Sequence, residues 1–192
     1  QLTLDQARRP TGHGGWRPGA GRPKGRATCS HQARPRFPAS VPLHVTLKLA
    51  AGVPSFRKAA IMRVVRAAIA AGGHRGDFRV VHYNVLGDHL HLVVEAAGAA
   101  ALARGMQGLS VRLARRVNAL LGRRGRLLAQ RYHARPLRTP TEVRNAVRYV
   151  LLNARHHGVE RGGVMARGWV DPYSSALWFD GWKAAIRTAS SR

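Results

Sequence analysis

FRVVHYNVLGDHLHLVVE, residues Phe78–Glu95, is the most informative run of the chain. Two alternating segments, FRVVHYNVL and HLHLVVE, meet at Gly87-Asp88, a dipeptide suited to a tight hairpin turn. Counting outward from a two-residue turn pairs Leu86 with His89, Val85 with Leu90, Asn84 with His91, Tyr83 with Leu92 and His82 with Val93. One face then collects Val81, Tyr83, Val85, Leu90, Leu92 and Val94, and is expected to meet helices. The other collects His82, Asn84, His89, His91 and Glu95. Alternate residues of a strand point the same way, and imidazole nitrogen suits divalent cations, so this second face is a platform for a metal. A strand that merely exposes its histidines to water gives the same pattern, and a chain with 10 histidines will hold some His-x-His by chance.

Working outward, PLHVTLKLA (residues 42–50) alternates Leu43, Val45, Leu47 and Leu49 with His44, Thr46 and Lys48, which predicts a half-buried strand. In FRKAAIMRVVRAAIAAGG, Ile61, Val64, Val65, Ala68 and Ile69 recur at helical spacing and stop at Gly72-Gly73. Leu102, Met106, Leu109, Leu113, Val117 and Leu120 predict a long amphipathic helix with a basic outer face, broken by GRRGR. QRYHARPLR predicts another strand. A last helix starts at a capping box, with Thr139 as cap, Pro140 in the first turn and Glu142 three residues after the threonine. Its core stripe is Val143, Val147, Val150, Leu151 and Ala154, and Tyr149 and Asn153 lie one above the other at its edge, with Asn145 and His156 flanking. The predicted fold class is α+β, an antiparallel four- to five-stranded ferredoxin-like sheet covered by helices on one face.

Charge sets the partner. Lysine and arginine number 33 against 8 acids, a net charge of +25, which puts a polyanion, nucleic acid above all, first among partners. Residues 1–40 carry eight of those cations among five prolines and six glycines and predict a flexible basic tail. Within it GAGRPKGR loosely resembles an AT-hook through Arg22 and Lys24, but a solvated basic leader gripping phosphates without sequence preference is the favoured reading. Residues 41–160 form the predicted domain. Residues 161–192 form a Trp-rich extension, read as a docking tail or, alternatively, as stacking surfaces for bases. The lone Cys29 excludes a disulfide framework and a Cys-rich zinc site. No apolar run approaches the roughly 18 residues that span a bilayer. The expectation is a soluble cytoplasmic, nucleoid-associated protein with no membrane partner, although opening on Gln1 leaves its true start open.

HLHLVVE on a strand after a hairpin, followed by YVLLNARHHG on a helix, resembles the single-tyrosine HUH transposases of the insertion-sequence-200 type, and especially the REP-associated tyrosine transposases. The resemblance covers about residues 40–160. It implies that His89 and His91 bind a divalent cation, Mg²⁺ or Mn²⁺, that Asn153 completes the metal site, and that Tyr149 is the nucleophile. It also departs from the family, with Gly87-Asp88 where Pro-Asn is common and Asn153-Ala154-Arg155 where Asn-Pro-Val is common; neither change removes a catalytic group. The implied function is a DNA transposase and endonuclease that cleaves and rejoins single-stranded, hairpin-bearing DNA, such as REP-like palindromes, through a 5′-phosphotyrosine. It would act as a monomer or as a homodimer exchanging the catalytic helix.

A phenol ordinarily ionises near pH 10, so the tyrosine needs a nearby cation or base, for which His156 and local arginines are candidates. Arg112, Arg115, Arg116, Arg123, Arg124 and Arg126 are candidate DNA contacts. Two rivals remain: a non-catalytic nucleic-acid-binding protein, which accounts for the charge alone, and a water-using metal nuclease, which needs clustered carboxylates that a chain with eight acids scarcely supplies.

Overall fold

A computed structural model of the chain describes residues 37–38, 41–72, 74–160 and 168–183, with the side chains of 74, 75 and 156–160 outside the description. All of these lie in one unit, Gln32–Arg192. The basic tail with Arg22 and Lys24 lies outside the described residues.

The elements run β1 (Leu43–Lys48), α1 (Ala59–Ala70), β2 (His74–Arg75), β3 (Phe78–Val85), β4 (His89–Ala96), α2 (Ala99–Leu120), β5 (His133–Pro136) and α3 (Pro140–Glu160), followed by a single 3₁₀ turn at Ser175–Trp178. The sheet is antiparallel in the order β2-β3-β4-β1-β5. Without the two-residue β2 this is the βαββαβ weave of a ferredoxin-like fold. The hairpin register is the one its turn dictates, with Asn84 opposite His91 and Val85 opposite Leu90. Alternation then breaks once. A bulge between Val80 and His82 turns Val81 out of the predicted apolar face, where it is 38% exposed, and Val80 takes its place opposite Val94.

The apolar face of the sheet, Leu43, Val45, Leu47, Val85, Leu90, Leu92 and Val94, packs in one cluster with Ile61, Met62 and Val65 of α1 and Leu102, Met106, Leu109 and Leu113 of α2. Gly105 permits α2 to approach, since a Cβ there would fall 2.3 Å from the Phe78 ring. The prediction that helices cover one face is corrected by α3, which crosses the opposite face over β3 and β4. Its Thr139/Glu142 box forms as predicted: the Glu142 amide donates to Thr139 Oγ1 at 3.2 Å, and the Thr139 amide to Glu142 Oε2 at 3.2 Å.

Residues 168–183 complete this second layer. Leu151 of α3 packs with Val170 and Ala176. Beyond β2 the edge of β3 would be left with unpaired backbone groups, and the segment covers it: the Val85 amide donates to the Tyr173 carbonyl at 2.9 Å, and Asn84 bridges Ser174. Asp171, 1% exposed, receives both guanidinium nitrogens of Arg57 at 2.8 Å. No helix among the described residues is long and apolar enough to cross a membrane.

Candidate active site

The face of the sheet under α3 carries His44 and Thr46 from β1 and His89 and His91 from β4, because β1 and β4 are neighbours with Thr46 opposite His91 and Lys48 opposite His89. His91 is 6% exposed, sealed by the helix. Its Nε2 lies 3.1 Å from Nε2 of His89 and 3.5 Å from the Tyr149 hydroxyl. The Tyr149 ring stands edge-on to both His91 and His44, with centroids 5.1 Å and 5.7 Å away, and is 43% exposed. The phenol therefore faces the imidazole pair on one side and solvent on the other. Both belong to the same chain.

Each imidazole is held from behind. Nδ1 of His89 is 2.6 Å from Asp88 Oδ1, and the hydrogen bond holds the Asp88 carboxyl below the usual range. Nδ1 of His91 is 3.2 Å from Nε2 of His44 and 3.3 Å from Oγ1 of Thr46. Burial, reinforced by Arg135 and His133, pushes the His44 pKa down and favours a neutral ring, whose Nε2 accepts from His91 when its own proton sits on Nδ1. In the tautomers that carry both protons on Nδ1, both Nε2 atoms present lone pairs toward each other. Two such lone pairs at 3.1 Å repel unless a proton or a cation lies between them.

Asn153 is a buried polar group of α3. Edge placement on α3 underestimates its burial: it is 2% exposed, and neither its Oδ1 nor its Nδ2 has a partner among the described residues. A buried carboxamide left unsatisfied costs about 1–3 kcal/mol, so a missing partner is implied. No group of three His, Cys, Asp or Glu side chains able to hold a metal occurs among the described residues. Imidazole nitrogens such as those paired at His89 and His91, and a carboxamide oxygen such as that of Asn153, are donor types that a divalent cation of the intermediate class accepts.

The arginines separate into three places. Arg112, Arg115 and Arg116 ride on α2, in the layer behind the sheet, and the structure does not bring them to Tyr149. Arg112 departs further from the predicted basic face: it folds over Gly72, with its Nε and Nη2 buried. Arg123, Arg124 and Arg126 sit in the loop after α2. That loop leads into Leu127 and Ala129, whose backbones bond Ala50 and Lys48 at the His89 end of the sheet, while Arg123 itself is tied to Asn118 Oδ1 at 2.9 Å. Two residues that sequence reasoning missed lie closer, His133 and Arg135 of β5, which pair with Thr46 and His44 on the face that bears Tyr149. Their signal was the alternation of HARP. Asn145 is exposed on α3, and the side chain of His156 lies outside the description.

No family model matches the chain, and no curated protein matches it. Among solved structures, a protein assigned to the transposases, from Deinococcus radiodurans R1, shares 14% identity over 72% of this chain and 99% of its own, at a TM-score of 0.38. A REP-associated tyrosine transposase bound to a REP hairpin superimposes with a TM-score of 0.58, at 16% identity, over 78% of this chain and 84% of that one, and the chain shares its fold.

Proposed function

We propose that the chain is a single-tyrosine transposase that cuts and rejoins single-stranded, hairpin-bearing DNA in the cytoplasm. The observation that carries this reading is the Tyr149 hydroxyl 3.5 Å from Nε2 of His91, which itself faces Nε2 of His89 at 3.1 Å. That neighbourhood supports a nucleophile held beside a cation site.

In the proposed step the Tyr149 oxygen attacks a phosphodiester phosphorus in line with the 3′-oxygen. The Tyr–O–P bond forms, the P–O3′ bond breaks, the phenolic proton passes to solvent at the exposed side of the ring, and the 3′-oxygen leaves as a hydroxyl. The product is a 5′-phosphotyrosine, and attack by another 3′-hydroxyl reverses it and joins strands without a nucleotide cofactor. His89, His91 and Asn153 would hold Mg²⁺ or Mn²⁺, which when bound supplies neutralisation and polarisation of the phosphate oxygens. Asp88, His44 and Thr46 keep both imidazoles aimed. Arg135 and His133 line the approach to the site from β5, and the Arg124–Arg126 loop approaches from the His89 end.

The test incubates the protein with Mn²⁺ and labelled hairpin oligonucleotides carrying single-stranded flanks. A labelled band resistant to SDS is expected, absent in Tyr149→Phe. Binding without any adduct would return the chain to the non-catalytic class, and release of a free 5′-phosphate without protein attachment would favour a water-using nuclease.

A further inference from the structure

Two of the aromatic residues in the docked C-terminal segment explain themselves. Trp182 donates from Nε1 to the Ala176 carbonyl at 2.9 Å and packs on Phe179, with ring centroids 5.2 Å apart, so it anchors the segment. Trp178 does not. It is 63% exposed, the most exposed of the large hydrophobic residues described, although an indole is costly to leave in water. The Arg66 guanidinium lies 5.2 Å from its ring centroid, and Arg66 also donates to the Pro172 carbonyl. Beside this stack runs a cavity of about 260 Å³ lined by Ala59, Met62, Arg63, Arg66, Pro172 and Tyr173, with no acid in its lining. The Tyr173 ring carries a second guanidinium, that of Arg57, at 4.5 Å.

An exposed indole, a second ring and an apolar floor beside the exposed guanidinium of Arg63 form the chemistry that holds an unpaired base by stacking and its phosphate by charge. The groove lies at the β3 edge, where Ser174 bridges Asn84 as the next backbone beyond β3. Its α1 lining, and Trp178 with its ring 6.5 Å from that of Tyr83, belong to the layer opposite the one that holds Tyr149, so a single-stranded flank reaches the groove by passing around the β3 edge.

We propose that this groove binds one unpaired nucleobase, with its phosphate, in the single-stranded flank of the DNA whose cleavage site is held at Tyr149. The site rests on the reading that the chain acts on DNA. Trp178 supplies the stacking face, Arg63 the exposed charge, and Arg66 fixes the indole from the protein side.

The experiment uses the full chain carrying Tyr149→Phe, so that binding is read without cleavage. Hairpins bear labelled single-stranded flanks in which one abasic nucleotide is moved along position by position, and affinity is followed by fluorescence anisotropy. One flank position is expected at which loss of the base weakens binding about tenfold, the size of one stacked base. That position dependence should vanish in Trp178→Ala and persist in Trp178→Phe, and Arg63→Ala should lower the salt dependence of binding. Tight hairpin binding with every abasic position tolerated within about twofold would overturn the groove and leave the DNA reading standing. Absence of any hairpin binding would overturn both. The abasic scan leaves the groove unaltered, so it decides the matter even if Trp178→Ala disturbs the segment.

Discussion

Nε2 of His44 sits 3.2 Å from Nδ1 of His91, so a residue of β1 backs the ring of a residue of β4. Thr46 provides a second acceptor at 3.3 Å. A backing hydrogen bond of this kind raises ligand basicity and fixes ring orientation, and its loss ordinarily weakens metal affinity about 10- to 100-fold. His44→Ala is expected to lower Mn²⁺ affinity within that range by calorimetry, with no DNA present. His44→Gln, whose carboxamide oxygen can accept from the same Nδ1–H, should recover most of it. Unchanged affinity in His44→Ala would show that Thr46 alone suffices.

Asn153 makes an opposite bargain between stability and function. Its sealed carboxamide, without a partner among the described residues, costs the metal-free protein about 1–3 kcal/mol, and an isosteric apolar side chain removes that cost. Asn153→Leu should therefore melt at or above the parent in EDTA. The parent should gain about 2.7 kcal/mol at a Mn²⁺ concentration a hundredfold over its Kd, and the variant far less. Thermal melts with and without Mn²⁺ read both effects, and a variant that gains as much as the parent would remove Asn153 from the ligand set.

Local pattern reached far into this molecule and stopped at identifiable places. The hairpin register that puts His89 and His91 on one face follows from a two-residue turn and a period of two, and Tyr149 and Asn153 follow from helical phase and a capping box. His44 was equally visible as an outward residue of an alternating strand. Its role was not, because the neighbour of β1 is β4, reached only after α1 and two further strands, and short-range alternation yields parity without partner. The bulge at Val81 was hidden for a related reason: an extra residue changes the pairing and not the composition. Burial of Asn153 depends on a second layer that the amphipathic stripe of α3 did not reveal, since part of that stripe packs on Val170 and Ala176 instead of the sheet.

The Arg57–Asp171 pair ties that layer down. Asp171 is 1% exposed at its side chain and Arg57 31%, and the carboxylate also accepts from the Tyr173 amide at 3.1 Å. Removing one partner of a largely buried, bidentate pair leaves the other uncompensated. Asp171→Ala should cost about 2–3 kcal/mol of unfolding free energy in urea, discounted for the partly exposed guanidinium. Because Arg57 then loses its ion pair to the segment, its backbone amides from Tyr173 to Trp178 should exchange hydrogen faster than those of β4. Equal protection in variant and parent would mean that Leu151 and Trp182 hold the segment unaided.

His82 gives the fold a pH dependence of defined sign. Its Nδ1 lies 3.3 Å from Ser175 Oγ and its ring meets Phe179 edge-on at 5.5 Å. Burial pushes its pKa below the ordinary 6.5, against the opposing pull of Asp180. Above 6.5 folded and unfolded chains both carry the neutral ring, and the native contact is fully available. As pH falls from there through the depressed native value, the unfolded chain takes up the proton first, so the unfolded state is favoured and stability declines. Urea midpoints of the metal-free protein should therefore drop between about pH 7 and about pH 5, and His82→Phe should flatten part of that slope while keeping the contact with Phe179. A slope identical in the two proteins would place the titrating group elsewhere, with the buried His44 next in line.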